Sequence, residues 1–198
     1  MSNIHGKAYA LNTISPMQPW KTYILRLFFW FWGIYKPLGD GLKQLSFIHF
    51  ARWVIVPRLG FPWLGEPQPK NDLRYDYLLF FSNFNGTWNQ YIDAFSAVLY
   101  DGLNLIWRWS EKFPGSRPVT PFKNFIVRGQ PETTYYYTAY PHATTNDVKA
   151  AHRVQAALQE FAKGSEGLPP DKFADAYLQF LMKVQRDLGD TGEAPVGT

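Results

Sequence analysis

The sequence contains no cysteine. Disulfides, thiolate zinc sites, cysteine nucleophiles and iron–sulfur clusters are excluded at once, and the absence suits a cytosolic compartment. Other signatures are missing as well. There is no G-x-S-x-G elbow, no G-x-x-x-x-G-K phosphate loop and no G-x-G-x-x-G fingerprint. No histidine pair has H-x-x-x-H spacing, so no metal site is expected. The opening residues, MSNIHGKAYALNTISP, lack a basic region followed by an apolar run, which argues against a secretory signal. Without export, the acceptor-like Asn85-Gly86-Thr87 is incidental. A membrane-spanning run is absent too. In RLFFWFWGIYK the uninterrupted apolar part is the nine residues from Leu27 to Tyr35, whereas a spanning helix needs about 20.

What is present is ring surface and an uneven charge. Aromatic residues make up 18% of the 198 residues, eight of them Trp, so rings dominate any core or cleft. Residues 1–70 carry eight Lys or Arg against only Asp40 and Glu66, and the remainder is slightly acidic. A basic half points to nucleic acid or to anionic lipid. The cations here interleave with apolar runs instead of lining a polar groove, which favours lipid and gives no nucleic-acid partner.

Hydrophobic periodicity and turn residues predict the elements. AYALNTIS (8–15) reads as a strand, and a helix runs from about Trp20 to Tyr35 after Pro19. LSFIHFARWVIVP (45–57) and RYDYLLFFSNF (74–84) read as two more strands. Thr87 and Gln90 form a capping box ahead of a helix to about Tyr100. LNLIWRW is ambiguous, NFIVR reads as a possible short strand, and TTYYYTAY (133–140) as a clear one. Thr144 or Thr145 caps a helix to about Ala162, and a last helix follows Pro169-Pro170.

The order β-α-β-β-α-β plus two helices predicts an α+β, ferredoxin-like antiparallel sheet with two additional C-terminal helices. Residues 1–187 form a single domain, with the helical extension over about 144–187 and a disordered tail over 188–198. The strands at 45–57 and 74–84 are apolar on both alternate sets, which means that both sheet faces are covered. The second cover is a partner subunit, the extra helices or a bound apolar ligand.

ALNTISPMQPW, IHFARWVIVP and LLFFSNFNGTWNQYIDAF, in this strand order, resemble the dimeric α+β-barrel group of ferredoxin-like proteins. That group includes antibiotic-biosynthesis-type monooxygenases, chlorite dismutases and dye-decolourising peroxidases. The chain also looks like uncharacterised bacterial proteins with an IHFARW…SNFDGSW pattern, with Asn85 where Asp is common. The resemblance implies a homodimer through sheet faces, and an apolar substrate or haem in a cleft between sheet and helices. The Gly-x-x-Asp-Gly motif of the dye-decolourising peroxidases is absent.

The candidate residues follow. The aromatic helix is read as lying on a membrane surface, at the cytoplasmic side, with contacts from Arg26, Phe28, Phe29, Trp30 and Trp32 and a second wedge from Phe61 and Trp63. The competing reading is a helix buried on all sides. His49 is the acid/base candidate, with Arg52 either orienting an anionic group or binding a headgroup. Asn12, Ser82, Asn83, Tyr135 and Tyr137 interrupt apolar strands and are expected to form the polar floor of a ligand cleft. His152, with His142 second, is the candidate axial ligand should a haem be bound. Together these give a peripheral membrane protein handling an apolar or lipid substrate, as an oxidoreductase or as a non-catalytic lipid-binding or scaffold module.

Overall fold

The computed structural model describes residues 3–34, 45–60, 65–69 and 73–189. They form an α+β unit. Strands β1 (Ile4–His5) and β2 (Ala8–Met17) lead into helix α1 (Pro19–Ile34), followed by β3 (Ile48–Val56) and β4 (Asp76–Asn85). Helices α2 (Trp88–Val98), α3 (Tyr100–Trp107), α4 (Val119–Arg128), α5 (Thr145–Ser165) and α6 (Pro170–Val184) complete the described chain. The sheet is antiparallel throughout, in the order β1-β2-β4-β3.

Local chemistry sets the helix starts. Thr87 accepts from the Gln90 N–H while the Gln90 side chain accepts from the Thr87 N–H, and Thr144 does the same with Asp147. These boxes satisfy backbone donors that a first helical turn leaves free. Pro170 opens α6, where its missing N–H costs nothing.

The register places Leu11, Trp53, Ile55, Leu78, Phe80 and Phe84 on one face of the sheet. Helices α2 and α3 bury Tyr91, Phe95, Ile106 and Trp107 against that face. Phe84 stacks on Tyr91 at 4.0 Å, and Phe80 meets Trp107 edge-on at 5.2 Å. Such pairs add about 0.5–1.5 kcal/mol each beyond their buried area. Leu25 of α1 is fully buried in the same core.

Residues 133–140 correct the expected fourth strand, because they form none. The free edge of β2 is already occupied along its length. β1 pairs at Ala8 and Tyr9, Gly129 accepts from the Ile14 N–H at 2.8 Å, and Glu111 donates to Pro16 O at 2.8 Å. A Cβ on residue 129 would stand 2.7 Å from Ile14 O, so the approach of the α4 terminus needs glycine. With the edge satisfied, 133–140 crosses the outer face as an irregular strap, tied by Asn12 Nδ2 to Thr133 Oγ1 (3.2 Å) and by Asn83 Nδ2 to the Tyr136 hydroxyl. NFIVR likewise lies inside α4 and not in a strand, and LNLIWRW lies largely in α3.

Helices α5 and α6 pack mainly on each other. Phe161 meets Phe173, Tyr177 and Phe180 at 5.5, 5.9 and 5.2 Å. They do not cover the outer face of the sheet, where Ile14, Phe50 and Val54 stay exposed. The expected tail beyond residue 189 lies outside the described residues.

The buried Asp76 carboxylate ties three elements together. Thr22 of α1 donates its hydroxyl to Oδ2 at 2.7 Å, and the Arg58 N–H after β3 donates to Oδ1 at 2.8 Å. Asp76→Ala leaves the Arg58 N–H without its acceptor and the Thr22 hydroxyl with Pro19 O alone, at 2.6 Å, and is expected to destabilise the protein by about 1–3 kcal/mol. Thermal denaturation followed by circular dichroism checks this, at roughly 2–4 °C per kcal/mol for a chain of this size.

Candidate functional site

Helix α1 presents rings on two sides. Thr22, Leu25, Phe28, Phe29 and Trp32 turn toward the protein, with Phe28 edge-on to Trp32 at 5.1 Å and Phe29 against Trp53 at 6.1 Å. The opposite side carries Trp20, Tyr23, Ile24, Leu27, Trp30 and Phe31, all exposed. Their spacing of three and four residues makes one continuous stripe. Tyr23 is 74% exposed and Trp30 59%, values far from those of a core helix. Arg26 is exposed beside the stripe, and α1 has no acidic residue in its first turn.

Of the expected membrane contacts, Arg26 and Trp30 therefore face outward. Phe28, Phe29 and Trp32 are corrections: a period of 3.6 residues carries them inward onto Trp53 and the core. Phe61 and Trp63 lie outside the described residues. Trp20, Tyr23, Ile24, Leu27 and Phe31 were missed, although the i, i+3, i+4 spacing of 20, 23, 24, 27, 30 and 31 was there to be read.

A cleft of about 480 Å³ opens behind α1, within the roughly 300–1,000 Å³ of ligand sites. Its apolar wall is Phe28, Trp32, Trp53, Phe95, Leu103 and Ile106, and its polar lining includes Asp101 and Arg117. The bend between α2 and α3 at Leu99, which carries no side-chain cap, forms one side. The Trp53 indole Nε1–H is shut off from solvent and has no acceptor among the described residues. A buried donor in this state is rare and costly.

The residues expected to form a polar cleft floor are divided between the two sheet faces. Ser82 lies on the core face, accepting from the Tyr91 hydroxyl at 3.1 Å; burial pushes the Tyr91 phenol well above its ordinary pKa. Asn12 and Asn83 lie on the outer face and hold the strap. Tyr135 and Tyr137 are exposed, and Tyr136 between them is the residue that meets Asn83. The absence of the fourth strand removes the alternation that would have selected 135 and 137.

A register shift between Ile48 and Phe50 makes His49 the extra residue of a bulge. His49 therefore joins Phe50, Asn83, Tyr136 and Val148 around a small outer-face hollow of about 200 Å³. Arg52 lies on the same face, its guanidinium 4.9 Å from the Phe81 ring. Neither lines the larger cleft. His142 and His152 are solvent-exposed, away from both hollows. Asn85, read as a turn residue, is a clamp: Nδ2 donates to Lys7 O at 2.8 Å and Oδ1 accepts from the Thr145 N–H at 2.9 Å.

No protein-family model matches the chain, and neither a curated protein nor a solved structure matches it.

Partial burial holds the His49 imidazole below its ordinary value of 6.5, against a smaller opposing hydrogen bond from Asn85. The unfolded chain then takes up the proton first as pH falls. The neutral form's contribution is complete above pH 6.5 and is lost as pH falls through the lower folded value. His49→Gln is expected to flatten that part of the melting temperature's pH dependence, and NMR titration of the ring should give a midpoint below that of a free imidazole.

Proposed function

We propose that the protein docks on an anionic membrane surface through the outward stripe of α1 and holds an apolar or lipid molecule in the cleft behind that helix. The observation that carries this reading is the exposed run Trp20, Tyr23, Ile24, Leu27, Trp30 and Phe31. Trp and Tyr favour the interfacial region, and flanking cations reach lipid headgroups. Arg26 stands exposed beside the stripe, while Lys21 pairs with Glu111 at 3.5 Å, and the first 70 residues carry the excess of positive charge. Among the described residues no helix is long and apolar enough to cross a membrane. The helix therefore lies along the surface, and the cytoplasmic leaflet, with its anionic lipids, is the matching one.

Binding without catalysis is the form that this geometry favours. The cleft lining includes no histidine to ligate a haem iron or move a proton, and His49 with Arg52 sits on the other face of the sheet. The oxidative reading rests on the resemblance to dimeric α+β-barrel enzymes alone. That resemblance also supplies a ferredoxin-like assignment, for which the β2-β4-β3 order with α1 as the crossover from β2 to β3 is support, although no strand follows α2 among the described residues. It further supplies a homodimer in which a second copy covers Ile14, Phe50 and Val54.

Two measurements test these readings. Replacing Trp20, Leu27 and Trp30 by Ser removes three side chains worth about 1.5–3 kcal/mol each when buried. Flotation with phosphatidylglycerol-containing vesicles is expected to fall more than about tenfold, with the melting temperature nearly unchanged. Undiminished flotation overturns the docking. For the dimer, Phe50→Glu with Val54→Glu is expected to convert a sedimenting dimer to monomer, and a wild-type monomer at micromolar concentration removes that proposal.

A further inference from the structure

The cleft behind α1 has one apolar end and one charged rim. Phe28, Trp32, Trp53 and Ile106 supply ring and aliphatic surface, with no charged group among them. Arg117 closes the rim. Its Nη2 donates to Ala97 O at 3.1 Å, and the guanidinium lies 4.8 Å from the Tyr100 ring. Neither contact neutralises its charge. Among the described residues no ion pair involves Arg117. A guanidinium has five N–H donors in a planar fork suited to a carboxylate or phosphate. Asp101 shares the rim and stands in the first turn of α3, where it complements the helix dipole.

We infer that the cleft binds a single-chain amphiphile with an anionic head, the chain lying among Phe28, Trp32, Trp53 and Ile106 and the head meeting the Arg117 guanidinium. This rests on the reading of the cleft as an apolar-ligand site, and adds the head's charge, its anchor and the ligand's orientation. Phe28 and Trp32 belong to the same helix as the exposed stripe, so the chain enters beside the docked surface and the membrane is its source.

Titration calorimetry with dodecanoate, dodecanol and dodecylammonium, each below its micelle concentration, tests the assignment on the full chain. The wild type is expected to bind dodecanoate roughly tenfold more tightly than dodecanol at low salt, and dodecylammonium most weakly. Arg117→Gln should bring dodecanoate down to the dodecanol level and leave dodecanol unchanged. Arg117→Lys should restore part of the difference, and Asp101→Asn should strengthen dodecanoate binding. Gly102 lines the cleft and a Cβ there would meet only Trp32 Cη2, at 3.9 Å. Gly102→Leu therefore fills the cleft from a helical position and should abolish binding of all three.

Equal binding of dodecanoate and dodecanol, both blocked by Gly102→Leu, would overturn the anionic head while leaving an apolar site. Failure of the wild type to bind any of the three would overturn the cleft itself. The Trp20, Leu27 and Trp30 variant is expected to bind dodecanoate from solution normally and to extract it from vesicles more slowly. Equal extraction rates would overturn the membrane as source.

Discussion

Helix α1 carries aromatic side chains around most of its circumference, and a helix laid against one sheet can cover only part of itself. That constraint organises the molecule. The side with Leu25, Phe28, Phe29 and Trp32 closes over Trp53 and the core. The side with Trp20, Tyr23, Leu27, Trp30 and Phe31 has no cover among the described residues. A soluble surface tolerates scattered apolar groups, but a contiguous stripe of rings marks a contact with something else. On the proposed reading that something is an anionic surface, matched by the exposed Arg26 and the basic balance of residues 1–70.

The sheet meets a related problem at its edge and on its outer face. An unpaired edge is a template for aggregation, and here β1, Gly129 and Glu111 divide the edge of β2 between them. That division leaves the strap at 133–140 without strand partners, so it spends its polar groups on Asn12, Asn83 and His5 instead. It shelters Ala8 and Ala10 and leaves Phe50 and Val54 open. One short edge strand thus decides both where the tyrosines go and how much of the outer face is left bare.

Much of this was legible in the sequence because it depends on local rules. The capping boxes at Thr87 and Thr144, the starts at Pro19 and Pro170, and the three long strands all follow from residue type and spacing. Two of the misses come from tertiary competition, and two from periodicity left unread. TTYYYTAY has strand propensity but no free edge to pair with. Strict alternation along β3 would put His49 on the face of Trp53, and the bulge carries it to the other side. Ser82 and Asn83 are both expected on one cleft floor, yet adjacent strand residues point to opposite faces and serve different networks. Trp32 was read as lipid-facing for its chemistry alone, when its angular position on the helix carries it inward. The cleft itself could not be seen, since it is made by a helix break.

That break explains why stripe and cleft occur together. Helix α2 ends at Val98 and α3 begins at Tyr100, with Leu99 serving both ends and no side-chain cap holding the joint. A continuous helix would run on past α1, whereas the bend exposes Phe28 and Trp32 along a hollow. Gly102 puts no side chain into the hollow, where a Cβ would stand 3.9 Å from the Trp32 ring, so the space stays open. The inward rings of α1 then become a cleft wall, and its outward rings stay exposed, with one helix thickness between them. A molecule leaving a bilayer beside α1 would exchange one apolar environment for another across that distance. Its charged head would never need to cross the core, because Arg117 waits at the rim.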